Sequence, residues 1–268
     1  MIAGLDPIPS RMPPEIKARD LSEAQATLEF CRGILEAVAP CVAAVKPQAA
    51  YFERLGPVGM EVYAALIQDA AELGLPVIAD VKRGDIGSTA EAYAEAHLAV
   101  YGAVCVTVNP YMGADAVLPF LEEARRLKRG GGVFVLVSTS NPSASEMQNI
   151  GEPPLFEAAA RLVVELGRVE EGEYADAGAV VGVTRPEAGR RVRELLPDAL
   201  FLAPGYGAQG GDAAGVRSLL NERDAGVLVN SSRGILYAHE SSEEGYREAA
   251  RHAAERTRDE LKAIGARS

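Results

Sequence analysis

Short runs rich in Val, Ile and Leu alternate along the chain with longer amphipathic stretches. The apolar runs predict strands near residues 2–6, 42–48, 76–82, 103–109, 132–139, 178–184, 200–204 and 226–231. Runs of this kind, apolar almost throughout, suit strands covered on both faces. The amphipathic stretches predict helices over roughly 22–39, 58–73, 88–101, 114–128, 154–167, 186–196, 213–222 and 243–264. Ser22-x-x-Gln25 and Ser88-x-x-Glu91 read as capping boxes, in which two orphaned backbone donors are satisfied reciprocally. Pro154 and Pro186 stand where a first helical turn tolerates a missing N–H. Eight strand–helix units in 268 residues match a single-domain (β/α)8 TIM barrel. A doubly wound open sheet is the competing arrangement, but it seldom needs eight such even repeats. No low-complexity linker divides the chain, and the acidic stretch Glu170–Asp176 reads as a surface loop.

In such barrels the chemistry sits at the carboxyl ends of the strands. The first predicted strand runs into Asp6, the second into Val45-Lys46-Pro47-Gln48, and the third into Asp80-Val81-Lys82-Arg83-Gly84-Asp85. Asp80 and Lys82 are two apart, so on a strand they share a face. Ile78 and Val81 do not share one parity, which marks this strand as buried on both sides. The two charges therefore point inward at the rim of the core. Charges there are costly unless paired, and four of alternating sign (Asp6, Lys46, Asp80, Lys82) can pair with one another. A structural ion-pair network closing the barrel mouth is the plainer reading for Lys46 or Asp6 taken singly. Asp80 and Lys82 together at the functional end weigh against it. Asp85, past the strand, reads by itself as a solvated loop acid.

The seventh predicted strand leads into Pro204-Gly205-Tyr206-Gly207-Ala208-Gln209-Gly210-Gly211, and the eighth into Asn230-Ser231-Ser232-Arg233-Gly234. Glycines let backbone N–H groups approach an anion, and the following helix N-termini add a favourable dipole. Loops after strands 7 and 8 are the usual phosphate site of this barrel. Arg233 adds a permanently charged, bidentate clamp. These features predict a phosphorylated small-molecule ligand. After the fifth strand, Ser138-Thr139-Ser140-Asn141-Pro142-Ser143 offers hydroxyl and amide groups able to read a polar heterocycle, although alone it is also ordinary turn chemistry.

The charge balance, 27 − 38 = −11, argues against nucleic-acid binding, which needs a basic face. No apolar run approaches the roughly 20 residues of a membrane helix. Cys31, Cys41 and Cys105 have no metal-ligand spacing and read as reduced core residues. The three histidines, His97, His239 and His252, fall away from the strand-end loops, so no catalytic metal is demanded. The chain opens directly on Met-Ile-Ala-Gly-Leu-Asp, which leaves no room for a signal peptide and predicts a cytoplasmic location.

These motifs together resemble the orotidine 5′-phosphate decarboxylase family. The resemblance rests on Asp80-x-Lys82-x-x-Asp85-Ile86, on Lys46, and on the Gly205-to-Gly211 loop. Asn109-Pro110-Tyr111-Met112-Gly113, Thr139-Ser140-Asn141-Pro142 and Asn230-Ser231-Ser232-Arg233-Gly234 point to its longer bacterial, type 2 subgroup. It spans residues 4 to about 237. The resemblance implies a dimeric barrel converting orotidine 5′-phosphate to UMP and CO2 without cofactor. It also implies a role for each matching position. Lys82 matches the lysine that protonates C6, Asp80 the acid beside the substrate carboxylate, and Lys46 the lysine that contacts ribose and completes the charge network. Asp6 matches the acid on a ribose hydroxyl, and Asp85 the acid that crosses the homodimer interface to the partner's ribose site. Ser140 matches the serine on the pyrimidine edge, Gln209 the residue bridging base and phosphate, and Arg233 the phosphate ligand, with Gly207 and Gly210 in the phosphate loop.

Two positions depart from the pattern. Relatives usually carry a helix ahead of the first strand; here the strand begins almost at once, which predicts either a partly uncovered barrel bottom or a start site further upstream. Ser143 stands where many relatives have Gly, which bears on the local turn. Mg-dependent sugar-phosphate decarboxylases and hexulose-phosphate synthases share the Asp-x-Lys-x-x-Asp motif but lack the Thr-Ser-Asn-Pro and Gly-Ala-Gln-Gly-Gly loops. The residues also allow a Schiff-base aldolase using Lys82, or a non-catalytic phosphate-binding barrel.

Overall fold

The computed structural model describes residues 1–169, 174–207 and 210–265. Among these residues eight parallel strands follow one another: β1 (Ile2–Leu5), β2 (Val45–Pro47), β3 (Ile78–Arg83), β4 (Cys105–Val108), β5 (Gly132–Ser138), β6 (Ala175–Val181), β7 (Ala199–Ala203) and β8 (Val227–Ser231). Each strand from β3 to β8 pairs with the next, β8 pairs with β1, and β1 with β2. The remaining seam, between β2 and β3, is closed by the single bridges Val45↔Val77 and Gln48↔Asp80. The amide of Ala49 also donates to Asp80 O across it at 3.2 Å. The result is the (β/α)8 barrel that the alternation predicts.

Long helices alternate with the strands, among them Glu23–Val38, Pro57–Glu72, Leu118–Leu127, Leu155–Leu166, Pro186–Leu195 and Tyr246–Ala263. The predicted 88–101 helix is α-helical over Gly87–Ala94 and π-helical over Glu95–Val100, and the predicted 213–222 helix stops at Arg217. Ser22 forms its capping box: its hydroxyl accepts from Gln25 N and the Gln25 side chain accepts from Ser22 N at 2.9 Å. The Ser88 box does not form, because Gly87 starts the helix one residue earlier with φ +55°, which places Ser88 inside the first turn. Pro186 is the first helical residue, whereas Pro154 sits one place earlier, at the cap. Of the acidic stretch Glu170–Asp176, residues 170–173 lie outside the described ones. Ala175 and Asp176 already belong to β6, where Asp176 accepts from Arg125 Nε at 2.7 Å.

The period-2 alternation of each strand divides the core into two layers. One parity fills the barrel interior with Ile2, Ala44, Ile78, Phe134, Val180 and Leu202. The other, which includes Ala3, Val45, Ala79 and Val81, packs outward on the helices. The predicted double burial of β3 follows from this split. The lower interior is closed rather than bare, since Ile2, Ala44 and Ile78 are at most 5% exposed. Cys31 and Cys41 are buried in the outer layer, Cys105 faces the interior layer, and all three are free thiols.

Candidate active site

Counting two residues on from the interior layer reaches the charged residues. Ala44 is followed on the same parity by Lys46, Ile78 by Asp80, Cys105 by Thr107 and Leu228 by Asn230. The alternation that fills the barrel with carbon therefore ends, at the carboxyl rim, in a ring of polar side chains. Above them opens a cavity of about 860 Å³, which Lys46, Asp80, Lys82, Thr107 and Asn230 help to line.

Asp80 is the hub. Lys46 Nζ donates to its Oδ2 at 2.5 Å, and Lys82 Nζ donates to its Oδ1. Lys46 and Asp80 are 5% and 6% exposed, whereas the Lys82 side chain is nearly half exposed and reaches into the cavity. Burial by itself would raise the Asp80 pKa, but the two ammonium groups override it and hold the carboxyl down at about 2. Burial likewise works against the Lys46 charge, and Asp80 with Asp6 more than offsets it, raising the pKa of Lys46. Three of the four predicted charges, Lys46, Asp80 and Lys82, thus form one paired array in which Asp80 stays ionised, while Asp6 acts on Lys46 through its charge without an ion-pair contact.

Thr107 belongs to no motif in the sequence, yet it supports this array. Its Oγ1 accepts from Val81 N and Lys82 N, both at 2.9 Å, and donates to Asp80 Oδ1 at 3.1 Å. Lys82 takes φ +47°, in the left-handed region that costs a non-Gly residue on the order of 1–2 kcal/mol. A threonine in a run of valines reads as an ordinary strand former, so only the inward parity could have marked it.

Asp6 lines the cavity just beyond β1, with Oδ1 buried and unpartnered. Its backbone is held by Tyr237, whose hydroxyl donates to Asp6 O at 2.8 Å and accepts from Ile8 N. Ser140 lines the cavity from the loop after β5. That loop is pinned by Gln148, which accepts from Thr139 N at 2.9 Å and donates to Thr139 Oγ1 at 2.7 Å. Ser143 lies in the short 3-10 turn Pro142–Ala144 and accepts from Asn141 Nδ2, so the turn forms there without Gly.

After β8, Arg233 opens the short helix Arg233–Leu236 and lines the cavity, as do Gly205 and Tyr206 after β7. Gly207 and Gly210 take φ +66° and +87°, where only Gly is unstrained, but they do not line the cavity. Their N–H groups donate within the loop, to Gly211 O and Gly207 O, both at 2.8 Å. Gln209 lies outside the described residues. Asp85 also stands off the cavity of its own chain; its Oδ1 accepts from Ile86 N at 2.8 Å. Among the described residues no cluster of three or more His, Cys, Asp or Glu is arranged to hold a metal ion. No helix there is long and apolar enough to cross a membrane.

Comparison with known proteins places this geometry. The family model described as "Orotidine 5'-phosphate decarboxylase / HUMPS family" matches residues 16–248. A Rhodopirellula baltica protein named orotidine 5′-phosphate decarboxylase is 43% identical over 256 residues, covering 90% of this chain and 84% of its own. A Bordetella avium protein of the same name is 43% identical over 267 residues, covering 97% and 92%. Among solved structures, Leishmania donovani OMP decarboxylase superposes with a TM-score of 0.78 at 32% identity, covering 98% of this chain and 92% of that one. Leishmania donovani UMP synthase gives 0.81 at 34%, with 98% of this chain matching 53% of that longer one. A barrel whose inward parity ends in a lysine–aspartate–lysine array, matched along nearly its whole length by these relatives, belongs to the orotidine 5′-phosphate decarboxylase / HUMPS family.

Proposed function

We propose that the chain converts orotidine 5′-phosphate to UMP and CO2 without a cofactor, the last step of de novo UMP synthesis. The observation that carries this reading is the Lys46–Asp80–Lys82 array lining a cavity that Arg233 also lines. Loss of CO2 from C6 of a pyrimidine leaves a carbanion with no electron sink. A fixed ammonium that meets this charge only as it develops lowers the barrier without tightening substrate binding. Lys82, exposed to the cavity and held by Asp80, is placed for that task and for delivering the proton to C6. Asp80, kept ionised, stands beside the substrate carboxylate, where its charge opposes the ground state more than the product. Lys46 and Asp6 take the ribose, Ser140 the pyrimidine edge, and Arg233 with Gln209 the phosphate, with Gly207 and Gly210 shaping the loop. Binding the remote phosphate supplies energy for closure and orientation at the ring. An anionic protein can hold an anionic substrate because its cations are local to the cavity.

Asp85 fits a homodimer in which it reaches the partner's ribose site. Ile86 next to it, and Tyr111 and Met112 in the turn after β4, are each more than half exposed, apolar side chains of the kind a second copy covers. Incubation with orotidine 5′-phosphate in EDTA, following loss of the orotate absorbance and release of CO2, tests the reading. Turnover that Lys82→Ala abolishes is the expected result. A folded, dimeric protein without turnover overturns it. Turnover of sugar phosphates with Mg²⁺ would then mark the sugar-phosphate enzymes, and borohydride trapping with a carbonyl substrate the aldolase.

A further inference from the structure

The register between β3 and β4 slips where the charges stand. Ala79 pairs with Val106 and Arg83 with Val108, so four residues of β3 advance against two of β4. Within the slip the backbone N–H groups of Val81 and Lys82 both converge on one side-chain oxygen, Thr107 Oγ1. That hydroxyl belongs to a residue only 1% exposed, accepts two bonds and has one proton to give, which Asp80 Oδ1 receives at 3.1 Å. The hydroxyl thus accepts from Val81 and Lys82 and donates to Asp80, with Ala79 O a longer second acceptor at 3.5 Å, so its partners all lie within the four consecutive residues 79–82. The same point on the chain carries the left-handed backbone of Lys82.

We propose that Thr107 is a positioning residue whose hydroxyl holds the slipped backbone of β3 and thereby aims the Lys82 ammonium and the Asp80 carboxylate. It touches no reacting atom. The catalytic consequence rests on the decarboxylase reading above, whereas the structural consequence does not. Valine has nearly the shape of threonine but lacks the hydroxyl, so Thr107→Val leaves the N–H groups of Val81 and Lys82 without their acceptor with little change in side-chain shape. Serine keeps the hydroxyl and loses a methyl.

The test measures kcat, KM, thermal midpoint and backbone amide exchange over residues 78–83 for the parent, Thr107→Val and Thr107→Ser. For Thr107→Val the expected result is a fall in kcat on the order of 100-fold with KM changed only a few-fold, the scale of a misplacement of about 1 Å. Amide exchange at Val81 and Lys82 is expected to quicken in this variant, and Thr107→Ser is expected to recover most of the rate and the protection. A Thr107→Val enzyme that turns over like the parent overturns the proposal. Equal losses in the valine and serine variants, tracking the thermal midpoint, overturn it too, since packing alone would explain them. If the parent has no turnover, the decarboxylase reading falls, and amide exchange decides the proposal by itself: unchanged protection at Val81 and Lys82 in Thr107→Val sinks it.

Discussion

The Lys46 ammonium lies 2.5 Å from Asp80 Oδ2, and neither side chain is more than a tenth exposed. A buried ion pair of this kind is weak evidence for stability, because two desolvation penalties oppose the attraction. Its value here is that it keeps a carboxylate ionised next to the lysine that faces the cavity.

Removing one partner is therefore expected to cost more than removing both. Lys46→Met should lower stability by about 3–5 kcal/mol, the range for breaking a buried pair from one side. Lys46→Met combined with Asp80→Leu should recover much of that loss while activity stays abolished. Urea denaturation of the parent and the two variants checks this; a double variant less stable than Lys46→Met would contradict it.

Acid is expected to weaken the fold in two separate windows. His97 is buried, and burial pulls its pKa down to about 4, so the unfolded chain takes up a proton that the folded one refuses. Its contribution is complete above about 6.5 and falls as pH drops toward 4, by about 3 kcal/mol across the window. Asp80 is depressed to about 2 from 3.8, so its contribution is complete above the higher value and is lost as pH falls through the lower. Lys46, raised above 10.5, loses its share only as pH rises past that value. Stability measured against pH should show the first window flattened in His97→Gln and the second in Asp80→Asn.

Asp85→Ala and Lys82→Ala, each inactive alone, are expected to regain partial activity when mixed. A heterodimer would hold one site with both residues intact if Asp85 serves the partner's cavity. Mixing after mild denaturation, with subunit exchange followed by mass spectrometry, is the measurement. Exchange without regained turnover removes the cross-interface assignment.

Tyr237→Phe deletes the hydroxyl that accepts from Ile8 N and donates to Asp6 O. The expected cost is about 1–3 kcal/mol of stability, with KM rising more than kcat falls, because Asp6 is assigned to the ribose and not to the reacting ring. An unchanged KM would separate Asp6 from substrate binding.

Much of this is legible in the sequence, for reasons that differ by element. β5 and the helix Pro57–Glu72 fall within a residue of their predicted bounds because long apolar or amphipathic runs leave little choice of register. Asp80 and Lys46 are legible because a charge inside an apolar strand is too costly to keep unless it is paired or put to use. Ser88 misleads because a capping box is a local pattern, and Gly87 next to it opens the helix first. Thr107 and Tyr237 stay hidden because each acts on a backbone far away, 25 to 231 residues along the chain. Gly207 and Gly210 take the left-handed backbone that Gly allows, but their amides donate within the loop and not toward the cavity.

The seam between β2 and β3, held by single bridges instead of a ladder, carries one further consequence. Lys46 stands on one lip of that seam and Asp80 on the other, so the ion pair is also a clasp across this thinly stitched line of the barrel. The cavity rim and the closure of the barrel thus share two side chains, so a substitution at either one pulls on both.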